Sequence, residues 1–391
     1  RTFGKHDLSA MFLFQQSQKN YVGESANTSE KALPYRHQGI AGRITYNYDN
    51  RYFVEGNFGY NGSENFSPNH RFGFFPSIAV GYVVSNEKFF EPIRDVVSMV
   101  KLKASYGLVG NDQIGGDRRF IYNETVIGGG KYYFGTTPSQ YTSVRLGEFP
   151  NPNVGWEKAK KLNLGADLSF FNQLNISVDY FKENREGIFL QRKSIPMYVG
   201  LSTKPWVNIG KMRNSGIDAS LEYHQPLGKD LHLTVSGNLH STRNRIKTTD
   251  EPESPNTTMN HSGQMQWQKF GLVAAGLFQD QEDIDSWAKQ SFGEVKPGDI
   301  KYLDLNGDGI VDNYDTKPIG YSDIPESVYG LGFSLQWKAF DLSAFFQGVA
   351  HVSFSTLTDQ TQAFVGRNLK ESSVFAALYG NTRTPENPGA N

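Results

Sequence analysis

Between Gly39 and Asn61 the chain alternates apolar and polar residues with a period of two on both sides of a tight turn. In GIAGRITYNY, Ile40, Ile44, Tyr46 and Tyr48 fall on one face and Arg43, Thr45 and Asn47 on the other. After the reversal Asp49-Asn50-Arg51, the residues Tyr52, Val54, Phe58 and Tyr60 oppose Glu55, Asn57 and Asn61. Successive side chains of a strand point to opposite faces, so the pattern reads as a β-hairpin. Each arm has about ten residues, matching the ~9–11 that a tilted strand needs to cross a bilayer. Tyrosines stand beside the turn and at the far end. A transmembrane hairpin is the expectation.

Composition limits the alternatives. Only 38% of the 391 residues are hydrophobic and mean hydropathy is −0.51, and no run approaches the ~20 apolar residues of a spanning helix. A barrel needs apolar residues only at alternate positions, which leaves the average sequence polar. An aromatic content of 14% and 40 glycines suit it. A net charge of −1 gives no basic footprint for nucleic acid. The absence of cysteine excludes a disulfide scaffold and thiolate metal sites. The chain begins Arg1-Thr2-Phe3 and ends in the loop-like Pro388-Gly389-Ala390-Asn391, and is read as a segment of a longer protein.

The same alternation recurs along the chain. Leu8, Ala10, Phe12 and Phe14 give a first strand after a turn at 4–7, and the hairpin above follows a polar connector at 17–38. A strand runs from about Phe72 to Val84; SNEKFFEPIRDVVSM then has a helix-like first turn that Ser85 can cap and Pro92 shortens. Val100, Leu102, Ala104, Tyr106 and Leu108 oppose Lys101, Lys103 and Ser105. Two lysines on one face and unbroken apolar residues on the other suit a wet lumen. The stretch 111–155 reads as a loop, or a loop with short hairpins. Further hairpins turn at 171–173, 226–230 and 338–340, for about eleven strands in all. A soluble β-sandwich also alternates, but loop length separates the two. Tight turns and the compact 85–98 segment fall on one end, and the long connections 17–38, 111–155, 184–206 and 246–326 on the other. Short periplasmic turns with long extracellular loops mark outer-membrane barrels. All of 1–391 is therefore expected to form part of one antiparallel transmembrane β-barrel, with 246–326 a long extracellular connection.

That connection carries the sharpest chemical motif, Asp304 to Asp315. Side-chain oxygens of Asp304, Asn306, Asp308, Asp312 and Asp315 and the carbonyl of Ile310 stand at the ligand positions of an EF-hand loop, with Gly309 at its sharp turn. A hard cation needs this density of oxygens to replace its hydration shell. Asp315 stands where that loop has Glu, and the shorter carboxylate reaches less well, so a weak Ca2+ site with Mg2+ competing is expected. The simpler reading is an Asx-rich turn without metal. No catalytic role is evident.

Other chemistry is thin, and no enzyme is expected. Gly128-Gly129-Gly130-Lys131 lacks the first glycine of a phosphate-binding loop and is followed by Tyr132. No G-x-S-x-G or H-E-x-x-H occurs. His224, His232 and His240 lie on lumen faces and read as channel lining rather than ligands. Asp280, Glu282, Asp283 and Asp285 crowd one polar stretch and read as a solvated charge cluster rather than an acid/base pair. Tyr132, Tyr133, Phe134 and Tyr141 can stack on a sugar or peptide, although packing within their own loop is the simpler reading. Substrate-binding residues are otherwise not legible.

Together, FGKHDLSAMFLF, GRITYNYDNRYFVEGNFGYNGSENFSP, RFGFFPSIAVGYVVSNEKFF, VKLKASYGLVGNDQIG, NPNVGWEKAKKLNLGADLSFF and GDIKYLDLNGDGIVDNYDTKPIG resemble the SusC/RagA-type TonB-dependent outer-membrane transporters of Bacteroidetes. Tyr82 and Lys103 stand where that pattern has tryptophan and arginine. The resemblance implies a barrel of about 22 strands, of which this is the middle-to-late half, without the plug, the TonB-contacting segment or the last strands. It implies import of oligosaccharides or peptides, energised by TonB, with a SusD-like surface lipoprotein as lid. A siderophore or cobalamin receptor without a lid, or a passive porin, is the alternative.

Overall fold

The hairpin read over 39–61 is the second of a run of antiparallel strands that continues across the sheet. The computed structural model describes residues 1–23, 29–115, 118–201, 203–252 and 257–356; the loop read at 388–391 lies outside them. One unit comprises Arg1–Pro252 with Glu326–Val349. Its strands are β1 (Thr2–Phe3), β2 (His6–Lys19), β3 (Tyr35–Tyr48), β4 (Tyr52–Ser63), β5 (Phe72–Val83), β6 (Val97–Asn111), β7 (Val126–Phe134), β8 (Ser139–Leu146), β9 (Glu157–Phe170), β10 (Leu174–Gln191), β11 (Trp206–Pro226) and β12 (Leu231–Thr248). Six short strands follow in the second unit, β13 (Phe270–Gly271), β14 (Ala274–Leu277), β15 (Lys289–Gln290), β16 (Ile300–Tyr302), β17 (Ile310–Val311) and β18 (Lys317–Pro318). The first unit resumes with β19 (Ser327–Trp337) and β20 (Phe340–Ala350).

All strands of the first unit except β7 and β8 form one 12-stranded sheet in the order β1 to β6, β9 to β12, β19, β20. Sequence neighbours are spatial neighbours throughout, a meander in which each strand pairs antiparallel with the next. Tight turns explain why. Asp49 and Asn50 both adopt positive φ (54° and 50°) and the Arg51 N–H returns to the Tyr48 carbonyl at 3.0 Å, the twist that suits a two-strand reversal. Phe171 and Asn172 repeat it (both 54°), where a bulky residue in the left-handed region costs energy that the flanking ladder offsets.

Register sorts the two faces. Tyr46, Val54, Val80, Ala104, Leu164, Tyr180 and Ile217 stand opposite one another across seven strands. One position along, Thr45, Glu55, Ala79, Ser105 and Asn163 do the same on the other face. On the apolar face, Tyr48, Tyr52 and Tyr82 stack beside the short turns, with centroids 6.3 and 5.1 Å apart. Tyr60 stacks on Phe72 at 5.1 Å toward the other end. From Tyr52 to Tyr60 is about 26 Å along the strand, close to the ~25 Å apolar band with aromatic girdles of a membrane barrel once tilt is allowed for.

Between β5 and β6 the expected helical turn is two short 3-10 turns, Val84–Asn86 and Lys88–Ile93, the second containing Pro92. Ser85 is buried inside the first and Val83 holds the cap position without a side-chain bond. Glu87 ties the segment to the neighbouring turn, accepting from Arg51 at 2.8 Å and from the Tyr52 hydroxyl at 2.5 Å. The Tyr52 hydroxyl, with Arg51, holds its carboxyl below the usual carboxylate range.

The stretch expected as the loop 184–206 is partly strand: β10 runs to Gln191 and β11 starts at Trp206. The segment 17–38 shortens in the same way. Outward positions of β10 stay apolar through Tyr180 and then become Lys182, Asn184 and Glu186, so the upper halves of these strands stand clear of lipid.

Candidate functional site

The polar face is an ion-paired wall. Arg43 donates to Asn57 at 2.9 Å, and Asn57 donates to Glu55 at 2.7 Å. Lys103 on β6 donates to Asp167 on β9 at 2.7 Å and to Asp179 on β10 at 3.4 Å, with the Ser177 hydroxyl also on Asp167 at 2.7 Å. Gly165 makes this meeting possible: an added Cβ would strike the Asp179 carboxylate and lie 2.9 Å from Lys103 Cε. His224 stands 3.1 Å from Glu222 and His240 meets Asp218, so two of the three histidines sit beside carboxylates on the lumen face. A wall of matched charges and amides wets readily and offers hydrogen bonds without a net field for one sign of ion.

At the long-loop end a small core forms from residues of different loops. Phe66, Ile114, Ile121 and Val154 are buried together, with Trp156, Phe189 and Trp206 against them. Arg119 is almost wholly buried, its guanidinium 3.7 Å from the Tyr35 ring centroid and donating to the carbonyls of Leu33 (2.7 Å) and Pro34 (2.8 Å). Asn208 closes the base, donating to the carbonyls of Gly155 at 3.0 Å and Gly187 at 2.8 Å while accepting from the Gly155 N–H at 3.1 Å. The ribbon β7–β8 rises from this core: the Gly147 N–H bonds the Thr125 carbonyl at 2.8 Å and Arg118 pairs with Glu148 at 3.2 Å. The Gly128-Gly129-Gly130-Lys131 run lies in β7. Tyr132, Tyr133, Phe134 and Tyr141 are all exposed in the ribbon rather than packed into the loop.

In the second unit, the acidic stretch 280–285 caps and pairs. Asp280 caps the helix Gln281–Asp285 by accepting from the Asp283 N–H, and Asp283 pairs with Lys301 at 2.5 Å. Lys301 holds Asp283 below the usual carboxylate range.

The 304–315 loop is closely hydrogen-bonded. Asp304 accepts from the N–H groups of Gly307 (2.7 Å) and Gly309 (2.8 Å), which, Gly309 first, hold it below the usual carboxylate range. Asn306 accepts from the Asp308 N–H, Asp308 from that of Ile310, and Asp312 from that of Tyr314. Gly307 and Gly309 take positive φ (76° and 84°), which the sharp turn requires. Asp315 is fully buried and accepts from the N–H groups of Leu305 (2.8 Å), Asn306 (3.2 Å) and Asp312 (2.8 Å). The oxygens thus face backbone donors. Among the described residues no three His, Asp or Glu side chains gather at a point as metal ligands. Asp304, Asn306, Asp308 and Asp312 keep the composition and spacing of a calcium loop, while Asp315 serves the backbone.

A family model described as TonB dependent receptor-like, beta-barrel matches residues 3–372. The TonB-dependent receptor P3 of Formosa agariphila is 29% identical over 321 residues, covering 79% of this chain and 31% of that protein. The TonB-dependent receptor SusC of Bacteroides thetaiotaomicron is 29% identical over 319 residues, covering 77% and 30%. The chain spans about a third of the length of these curated relatives. Among solved structures, the RagAB peptide importer in the 'open-open' state superposes with a TM-score of 0.73 at 19% identity, covering 100% of this chain and 43% of that one.

Proposed function

The chain belongs to the TonB-dependent receptor β-barrel family, is of the SusC/RagA type and sits in the outer membrane, and from that premise we propose that it walls an active importer of oligosaccharides or peptides. TonB supplies the energy through a region outside this chain, and a SusD-like surface lipoprotein covers the long-loop end. The observation that carries the reading is the two-faced sheet, girdled with aromatics outside and lined with ion pairs and amides inside, with long connections confined to one end. A lidless siderophore receptor or a porin would share the wall but not the lid. The proposal gives the chain transport and no catalysis.

A mild-detergent pull-down of the full-length protein from its native outer membrane, read by mass spectrometry, tests it. A stoichiometric surface lipoprotein is expected; a barrel that comes down alone removes the lid.

The same proposal includes a weak calcium site at 304–315, supported by the donor spacing and by the ionised Asp304. Asp304, Asn306, Asp308, the Ile310 carbonyl and Asp312 would supply oxygens, with Asp315 completing the set by exchanging backbone donors for the cation; magnesium would bind less well. Bound calcium would stiffen the loop. Added calcium is then expected to protect 296–320 from proteolysis in the folded protein, and identical cleavage in calcium and in chelator would refute it.

A further inference from the structure

The β7–β8 ribbon is a surface without a purpose in the wall itself. It stands outside the large sheet as its own two-stranded sheet, and an isolated hairpin is marginal unless something covers it. Tyr132 and Tyr141 are direct cross-strand partners and so share a face. Phe134 joins them, its ring centroid 6.5 Å from Tyr132 and 5.7 Å from Tyr141. Tyr132, Tyr141 and Phe134 are 56%, 57% and 63% exposed, so the cluster is open to solvent. Arg145 lies two alternations along β8 from Tyr141, on the same face. From Val126 to Leu146 there is no Asp or Glu, while Lys131 and Arg145 contribute two positive charges. Neither cation has an acidic partner among the described residues, in contrast to the matched pairs of the wall below.

Exposed rings offer a flat surface to the C–H face of a sugar, and an unmatched guanidinium about 13 Å further along the same face of β8 selects a negative group elsewhere on the same extended ligand. We propose that the β7–β8 ribbon is a capture arm for anionic oligosaccharides, stacking one sugar on Tyr132, Phe134 and Tyr141 and pairing a carboxylate or sulfate further along the same chain with Arg145. This rests on the oligosaccharide-import reading and narrows its substrate class. Charge complementarity favours this occupant over a neutral glycan. A lid protein is the competing occupant.

The test is calorimetric titration of the full-length transporter in detergent with a uronic-acid tetramer, a neutral glucose tetramer and an oligoglutamate peptide of equal charge. The uronate is expected to bind about tenfold tighter than the neutral sugar. Tyr132→Ala with Tyr141→Ala should weaken both sugars about tenfold, and Arg145→Gln should abolish the preference while leaving neutral binding unchanged. These side chains are exposed, so heat-modifiable gel mobility should stay that of the wild type and confirm folding. Equal affinity for the two sugars, tighter binding of the peptide, or unchanged binding in the variants would overturn the arm. So would loss of a co-purifying lipoprotein in the ring variant with sugar affinity intact, which would make the ribbon a protein contact. A lipoprotein that co-purifies from the native membrane while the sugars show no preference would leave the import reading standing without the arm.

Discussion

An arginine at Ile78 is expected to cost about 2–4 kcal/mol of barrel stability, and one at the adjacent Ala79 less than about 1 kcal/mol. Ile78 is exposed on the apolar face of β5, four residues from the Tyr82 belt and four from Phe74. An arginine there must leave its charge in hydrocarbon or drag water and headgroups to it. Ala79 points into the lumen, between Glu55 on β4 and Ser105 on β6. There an arginine finds water and a carboxylate. Unfolding by urea from vesicles, followed by gel mobility, reads both variants, and the contrast between neighbours removes any effect common to the strand. Equal losses at 78 and 79 would mean that the faces are assigned wrongly or that this sheet does not meet lipid.

That contrast is also the reason so much of the wall was legible. A strand with one face in lipid and one in water writes its period into the sequence, and the alternating sets in β3, β4, β9 and β10 follow the register. Where lipid ends, the signal ends. Beyond Tyr180 the β10 ladder continues, with Asn184 opposite Arg213 and Glu186 opposite Lys211, but both faces are wet. Lys160 pairs with Glu186 at 3.1 Å and Lys161 with Glu183 at 3.3 Å, on opposite faces of the same two strands. Over 182–186 the strand is polar on both sides, and beyond it the consecutive apolar residues Ile188, Phe189 and Leu190 follow a break in register, so no period of two is left to read and 184–206 reads as loop. The long-loop core was illegible for another reason: Phe66, Ile114 and Val154 are single apolar residues and Ile121 lies in the short run Phe120-Ile121-Tyr122, all in aperiodic segments, and what makes them a core is the meeting of loops distant in sequence. The ribbon rings were visible as residues, but their exposure depends on where the loop goes.

Replacing Asp315 with alanine is expected to destabilise the 304–315 loop locally by about 3–5 kcal/mol, because three buried or half-buried N–H groups lose a charged acceptor at once. Asp315 is fully buried, with one carboxylate oxygen on the Leu305 and Asn306 N–H groups and the other on that of Asp312. Asp312 answers from the other side, its side chain accepting from the Tyr314 N–H, so the two residues close a reciprocal cap. Asp315→Asn separates charge from shape. Its amide oxygen can still accept from Leu305 and Asn306, but its NH2 then faces the Asp312 N–H, donor against donor, and a loss of about half the alanine effect is expected. Amide hydrogen exchange at Leu305, Asn306 and Asp312 reads these bonds directly. Wild-type protection in the alanine variant would show that other contacts hold the loop. The same series separates the two uses of this carboxylate, because calcium added to the alanine variant should restore no protection if Asp315 acts first as a backbone pin. Restoration by calcium would mean instead that the cation, held by Asp304, Asn306, Asp308 and Asp312, organises the loop and the aspartate is secondary to it.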